Sequence, residues 1–350
     1  MKRLKNIWVR ISVFLRDKNK KSYSRILKEV FTLMRLKKEI PLYYFAKFLY
    51  RKEIDNYQDY LSGKETGHVF KISQATDPSH HSLVRNKRAF GNLLEKNGIK
   101  TPEIIARNNN QKFIYKNEEV IIKNVEDLVV FFKNILVDTN NKGLFVKPNS
   151  DQGGKNCFVL EKDNLDGQLR KHAGLLLTND FIYQKLIVQH PEINAINASC
   201  VNSIRFNSYI DRHGKSHILS AFMRFGRNGN VVDNGSSGGF YVAVDINSGQ
   251  LENEGKQLMR FGGGVFYEHP DSSYDFNHFK IPFFKEACDL IHQAIPLFSY
   301  KLLGWDIAIE HNGPLLIEAN DNFSVFVADI AYKGYLRHPQ FKEIMNDYHE

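Results

Sequence analysis

Residues Gly304-Trp305-Asp306-Ile307-Ala308-Ile309-Glu310 and Pro314-Leu315-Leu316-Ile317-Glu318-Ala319-Asn320 flank the dipeptide Asn312-Gly313. Asn-Gly between two β-rich runs signals a tight hairpin, because both residues tolerate the positive φ that such turns need. The spacing predicts strands over 302–311 and 314–318. Side chains alternate along a strand, so Asp306 shares a face with Ala308 and Glu310, and Glu318 shares one with Asn320. Acidic oxygens among apolar strand residues are costly unless a cation compensates them. Magnesium takes oxygen ligands and commonly shares them with nucleotide phosphates. Asp306, Glu318 and Asn320 are therefore the candidate metal ligands, while Glu310, beside the turn, reads as a solvated edge acid.

Upstream, Phe145-Val146-Lys147-Pro148 leads into Asn149-Ser150-Asp151-Gln152-Gly153-Gly154-Lys155. A lysine at the end of a β-run offers a fixed ammonium, and the glycine-rich turn after it offers backbone N–H groups to phosphate oxygens. The order is not that of a P-loop, since no Gly-Lys-Ser/Thr occurs and a strand follows. A third cluster comprises Asn202-Ser203-Ile204-Arg205, Arg224 and Asn234-Gly235-Ser236-Ser237-Gly238-Gly239. Its strand arginines can grip phosphate or carboxylate bidentately. Between these clusters the pattern predicts helices over 86–97, 125–136 and 282–297. It predicts strands over 112–115, 119–122, 203–210, 217–225 and 240–245, with a strand–turn–strand unit over 143–160. That order describes a mixed α+β fold better than a regular βαβ sheet.

Together these elements resemble the ATP-grasp superfamily over about residues 85–330. The resemblance implies two α+β subdomains that sandwich ATP. It makes Lys87 and Lys147 the phosphate lysines and Ser150, Gly153 and Gly154 part of a loop over the triphosphate. Tyr183-Gln184-Lys185-Leu186-Ile187 resembles the adenine hinge, with Gln184, Lys185 and Ile187 in contact with the base. Glu192 is the nearest candidate for the ribose. Arg205, Arg224 and Asn234 follow the order of the catalytic arginines and asparagine of glutamate-adding ligases. Asp306, Glu318 and Asn320 match the magnesium ligands, which implies ATP and two Mg2+ ions. Gln189-His190-Pro191-Glu192, Val201-Asn202-Ser203-Ile204-Arg205 and Glu318-Ala319-Asn320-Asp321-Asn322 look most like the sugar-transfer-associated ATP-grasp family. That implies a role in making or decorating a bacterial surface polysaccharide. Phe323 stands where many ligases carry Pro-Gly, and Gln184 where an acid is common.

The chemistry implied is activation of a carboxylate as an acyl phosphate, then its transfer to an amine or hydroxyl, with a glycan precursor among the acceptors considered. A kinase acting on a sugar or polyol hydroxyl is the alternative, and a non-catalytic nucleotide- or glycan-binding module the second. His190 is a candidate base, though His190-Pro191 also suits a turn.

The 350 residues, 42% hydrophobic and 25% charged, are enough for several subdomains around a substantial core. We read 1–81 as a basic, mainly helical region, 82–195 as the first ATP-grasp subdomain and 196–350 as the second. Residues 1–52 carry sixteen Lys and Arg against Asp17, Glu29 and Glu39, a net +13, so the remainder of this +9 chain sums to −4. Interleaved with aromatic residues, that segment suits peripheral contact with an anionic membrane or glycan, and no nucleic acid is expected. Three scattered cysteines, no secretory signal pattern and no eighteen-residue apolar run lead us to expect a cytoplasmic protein.

Overall fold

The computed structural model describes residues 2–74, 78–150 and 156–346. The chain starts with helices α1 (Lys2–Arg16), α2 (Tyr23–Lys37), α3 (Leu42–Ala46), α4 (Gly63–Gln74), α5 (Pro78–Arg85) and α6 (Lys87–Lys96). Ser22 caps α2 through the Arg25 N–H, and Asn86 caps α6 through the Ala89 N–H. Each supplies an acceptor to an otherwise unpaired first-turn donor. Pro41 occupies the cap of α3. Pro78 opens α5, where its fixed φ suits a first turn.

The first sheet comprises β1 (Ile104–Asn109), β2 (Lys112–Tyr115), β3 (Glu118–Ile121), β4 (Gly143–Pro148), β5 (Phe158–Glu161) and β6 (Asp180–Lys185), in the order β3-β2-β1-β6-β4-β5. Helices α7 (Val125–Asp138) and α8 (Leu165–Leu176) bury one of its faces through Leu128, Phe132, Leu169 and Leu176, packed with Leu144, Val146 and Tyr183. The sequence pattern missed β1, because the run Ile104-Ile105-Ala106-Arg107-Asn108-Asn109 shows neither strand nor helix period.

After α9 (Pro191–Ile196), the second sheet is built from β7 (Ile204–Ile210), β8 (Ser216–Phe225), β9 (Phe240–Val244), β10 (Leu251–Lys256) and β11 (Val265–Phe266). Following α10 (Phe284–Ala294), it is completed by β12 (Leu302–Glu310) and β13 (Gly313–Asn320), in the order β11-β10-β9-β8-β7-β12-β13. Every pairing in both sheets is antiparallel. Helix α10 covers one face through Phe206, Trp305 and Ile307. On the other face, α4 and α11 (Val325–Ala331) pack against Tyr209, Phe222 and Tyr241, and α12 (Pro339–Asn346) closes the described chain.

The amino-terminal helices are tied to α11, which packs on this second sheet. Fully buried Lys47 donates to the Leu61 carbonyl and to Asp329, each at 2.6 Å. The Leu61 and Tyr335 N–H groups donate to the same carboxylate at 3.0 and 2.7 Å. The architecture is a mixed α+β fold with two antiparallel sheets and a helical amino-terminal segment.

Candidate active site

Alternation sorts the first sheet into a helix-covered face and a face that lines a cavity. Leu144 and Val146 turn toward α7 and α8, which leaves Phe145 and Lys147 on the opposite side of β4. Val159 and Glu161 of β5 and Gln184 of β6 join them along one wall of a cavity of about 1020 Å3. Lys87 reaches the same cavity from the first turn of α6. That turn is tied to β4 by Asn149, whose carbonyl accepts the Lys87 N–H at 3.1 Å and whose side chain accepts the Arg88 N–H at 3.3 Å. As the chain leaves β6, residues Lys185 to Gln189 line the mouth. Phe145, Leu186, Ile187 and Ile317 supply apolar surface.

The second sheet supplies the charged floor. Asp306 lies directly across from Arg205 on one side and from Glu318 on the other, so all three project from the same face. Arg205 grips Asp306 through Nε and Nη2, the latter at 3.0 Å, and Arg224 Nη2 adds a contact at 2.8 Å. Arg224 also reaches Ser203 Oγ and, at 3.4 Å, Asp233, which accepts the Ser203 N–H at 2.9 Å. Burial alone would raise the Asp306 carboxyl, yet the guanidiniums of Arg205 and Arg224 hold it well below the usual carboxylate range. Burial pushes the Lys147 ammonium down to about 8, against the opposing pull of Glu318 and with the repulsion of Lys87 added. Arg224 stays fully charged because Asp233, Asp306 and Glu318 outweigh its burial. Lys87, Lys147, Arg205 and Arg224 thus stand against Asp233, Asp306 and Glu318. That balance leaves surplus positive charge for a polyanion.

Of the residues singled out by sequence, Lys87, Lys147, Gln184, Lys185, Ile187, Arg224, Asn234, Asp306 and Glu318 line this one cavity. Arg205 lies behind Asp306, buried. Asn320 donates its amide to Glu318 Oε1 at 3.2 Å. Gln184 spends its amide N–H on the Pro102 carbonyl at 3.1 Å. Ser150 is exposed at the end of β4, and Gly153 and Gly154 lie outside the described residues. Glu192 sits exposed in the first turn of α9 and is not among the residues that line the cavity. His190 caps that helix, its Nδ1 accepting the Glu192 N–H at 3.3 Å, and shapes the turn. Glu310 pairs with Lys100 at 2.7 Å, away from the floor. Sequence reasoning assigned no role to Asp233, Asn149 or Gln189, although Asn149 and Gln189 stand within stretches it singled out and Asp233 adjoins Asn234-Gly235.

The donor set suits magnesium. Asp306 and Glu318 are paired across β12 and β13, the Asn320 amide adjoins them, and all three offer oxygen. Asp306 already accepts from two guanidiniums, so a cation there would share it with Arg205 and Arg224, leaving Glu318 as the less committed ligand.

Two antiparallel sheets whose facing surfaces carry lysines on one side and a carboxylate pair on the other define an ATP-grasp enzyme, a class that works with ATP and Mg2+. The chain belongs to the sugar-transfer associated ATP-grasp family, whose model matches residues 68–345. Among solved structures it is similar to D-alanine–D-alanine ligase from Bacillus anthracis, at 13% identity over 91% of this chain and 82% of that one, with a TM-score of 0.43. The same ligase complexed with ATP gives 15% identity over 78% and 68%, with a TM-score of 0.41. N5-carboxyaminoimidazole synthetase from Staphylococcus aureus gives 10% identity over 73% and 53%, with a TM-score of 0.40. Comparison with curated proteins finds no match.

Proposed function

We propose that the protein is an ADP-forming ligase that activates a carboxylate with ATP and joins it to an amine or hydroxyl, in the synthesis or decoration of a bacterial surface polysaccharide. The observation that carries this reading is the single cavity in which Lys87, Lys147 and Arg224 face the Asp306–Glu318 pair. Apolar surface from Phe145, Leu186 and Ile187 suits the base, and the lysines suit the phosphates. Asp306, Glu318 and Asn320 would hold magnesium, which when bound neutralises charge on the β- and γ-phosphates. A substrate carboxylate oxygen attacks the γ-phosphorus, ADP departs and an acyl phosphate forms. The amine or hydroxyl then displaces phosphate and gives up its proton. Arg224 and Asn234 border the transferred group. Arg205 acts on it through Asp306, whose orientation it sets.

Calorimetric titration with Mg-ATP tests the nucleotide site, and Asp306→Asn is the informative variant. Asparagine keeps the volume and one acceptor oxygen that alanine would remove, but either change takes the counter-charge from Arg205 and Arg224, so the thermal transition is measured alongside the titration. Saturable binding to the wild type, weakened about tenfold or more by loss of the charged ligand, is the expected result. Undiminished affinity in the variant removes Asp306 from the site. Free phosphate release that needs both a carboxylate and a nucleophile separates ligase from kinase, since a stable phosphorylated product without free phosphate sinks the ligase reading.

We further propose that α1 and α2 rest on an anionic membrane surface. Tyr23, Leu27, Phe31 and Met34 form an exposed stripe at helical spacing along α2, and Ile7, Trp8, Ile11 and Leu15 form another on α1. Both stripes lie within the +13 segment. No helix among the described residues is long and apolar enough to cross a membrane. Removing 1–52 would also remove Lys47 from Asp329, so substitutions at the surface are the sound test. Leu27→Ser with Phe31→Ser is expected to abolish co-sedimentation with phosphatidylserine vesicles at low salt. Sedimentation equal to wild type would exclude this contact.

A further inference from the structure

A second cavity, about 610 Å3, opens between the amino-terminal helices and the segment that follows β13. Its walls are largely apolar, from Phe70, Leu258, Phe323 and Phe326, yet Arg10 and Arg260 both face it. The close approach of α1 to the 258–264 turn sets this juxtaposition. Gly263, at φ +64°, leaves no room for a Cβ, which would fall 2.6 Å from Val13 Cγ1. Arg10 lies one turn before Val13 on the same helix. Partial burial and the neighbouring Arg10 lower the pKa of Arg260, whose guanidinium stacks 4.6 Å from the Phe261 ring. Among the described residues neither guanidinium makes an ion pair. No carboxylate among the described residues lines the cavity. Glu39, nearby in the chain fold, is committed to capping α4 through the Gly63 and Lys64 N–H groups. Both side chains are exposed, so water screens their mutual repulsion, and an anion seated between them would gain from both guanidiniums.

The cavity also adjoins the catalytic floor. Phe323 forms part of its wall and packs against Gly304, where a Cβ would lie 2.4 Å from the Phe323 Cβ and 3.3 Å from Arg205 Cδ. The wall residues Asn322 to Phe326 begin two positions after Asn320, past Asp321. The face carrying Asp306, Arg205 and Arg224 also carries Phe222 and Tyr241, which pack with Phe323.

We propose that this second cavity binds an organic substrate through a phosphate or carboxylate handle clasped between Arg10 and Arg260, with the apolar or ring-faced body of that substrate against Phe70, Phe323 and Phe326. The handle itself does not react. Its role as a substrate anchor rests on the ligase reading, whereas the oxyanion site itself does not. The amino-terminal segment thereby becomes part of the substrate pocket.

The test is calorimetric titration of the full chain with phenyl phosphate and with benzoate, in the presence of Mg-ADP to fill the first cavity. Phenyl glucoside serves as the uncharged control, and Mg-ATP is titrated separately. Binding of either anion, with affinity reduced about tenfold or more in the Arg10→Gln, Arg260→Gln double variant and partly restored by lysine at both positions, is expected. ATP affinity should stay within about twofold, because neither arginine lines the first cavity. Failure of both anions to bind a wild type that binds ATP overturns the proposal, as does equal binding of the glucoside or undiminished binding by the double variant. Loss of ATP binding to the wild type would instead overturn the proposed function and leave the oxyanion result to be read on its own.

Discussion

Glu318→Gln is expected to slow ATP-dependent phosphate release by on the order of a thousandfold while leaving the fold intact. The glutamine preserves volume and keeps an oxygen to accept the Asn320 amide, which holds the glutamate at 3.2 Å. What it removes is charge, at the carboxylate less committed to guanidinium partners. Glu318 is only partly buried and makes no ion pair within 4 Å among the described residues, unlike Asp306, so its neutral isostere should not disturb the sheet. Phosphate release and the thermal transition should be measured together at saturating magnesium. Near-normal turnover would sink the metal assignment, whereas a large loss with an unchanged transition supports it. Glu310→Gln is the matched control on the preceding strand, paired with Lys100 at the hairpin edge and expected to leave turnover unaltered.

Lys47→Met is expected to cost about 3–5 kcal/mol of stability, because it leaves Asp329 buried without its cation. The pair is completely enclosed, with Lys47 also donating to the Leu61 carbonyl at 2.6 Å. The pH dependence has a definite sign. Burial raises the Asp329 carboxyl above its ordinary value even with Lys47 beside it. Folding therefore favours the protonated form, and that contribution is fully present below the unfolded value and lost as pH rises through the folded one. Without Lys47 the folded value climbs further. The deficit of the variant should be greatest at pH 8 and shrink toward pH 5, measured by denaturant unfolding. An equal deficit at both values, or one below about 1 kcal/mol, would show that the pair does not tie the amino-terminal helices to α11. Asp329→Asn in the Lys47→Met background should recover part of the loss at pH 8.

The hairpin at Asn312-Gly313, the helices over 87–96 and 125–138 and the strands flanking the glycine turns were legible in the chain itself. Turn chemistry and side-chain period are local, and each needs only a few neighbours to express it. The carboxylate pair was legible for the same reason, since a tight turn brings Asp306 and Glu318 into register across adjacent strands. Strand β1 lacked any period, and β10, with alternating acids and a glycine, did not announce a strand. Glu192 sat near the right motif but on the solvent side of its helix, a direction no local pattern determines. Two guanidiniums arrive at Asp306 from 101 and 82 residues away, and Lys47 meets Asp329 across 282. Composition assigned positive charge to the amino-terminal segment. Tertiary packing decided which of its side chains face solvent, which is buried against a carboxylate and which meets Arg260, because desolvation and Coulomb forces act between residues that only folding makes neighbours.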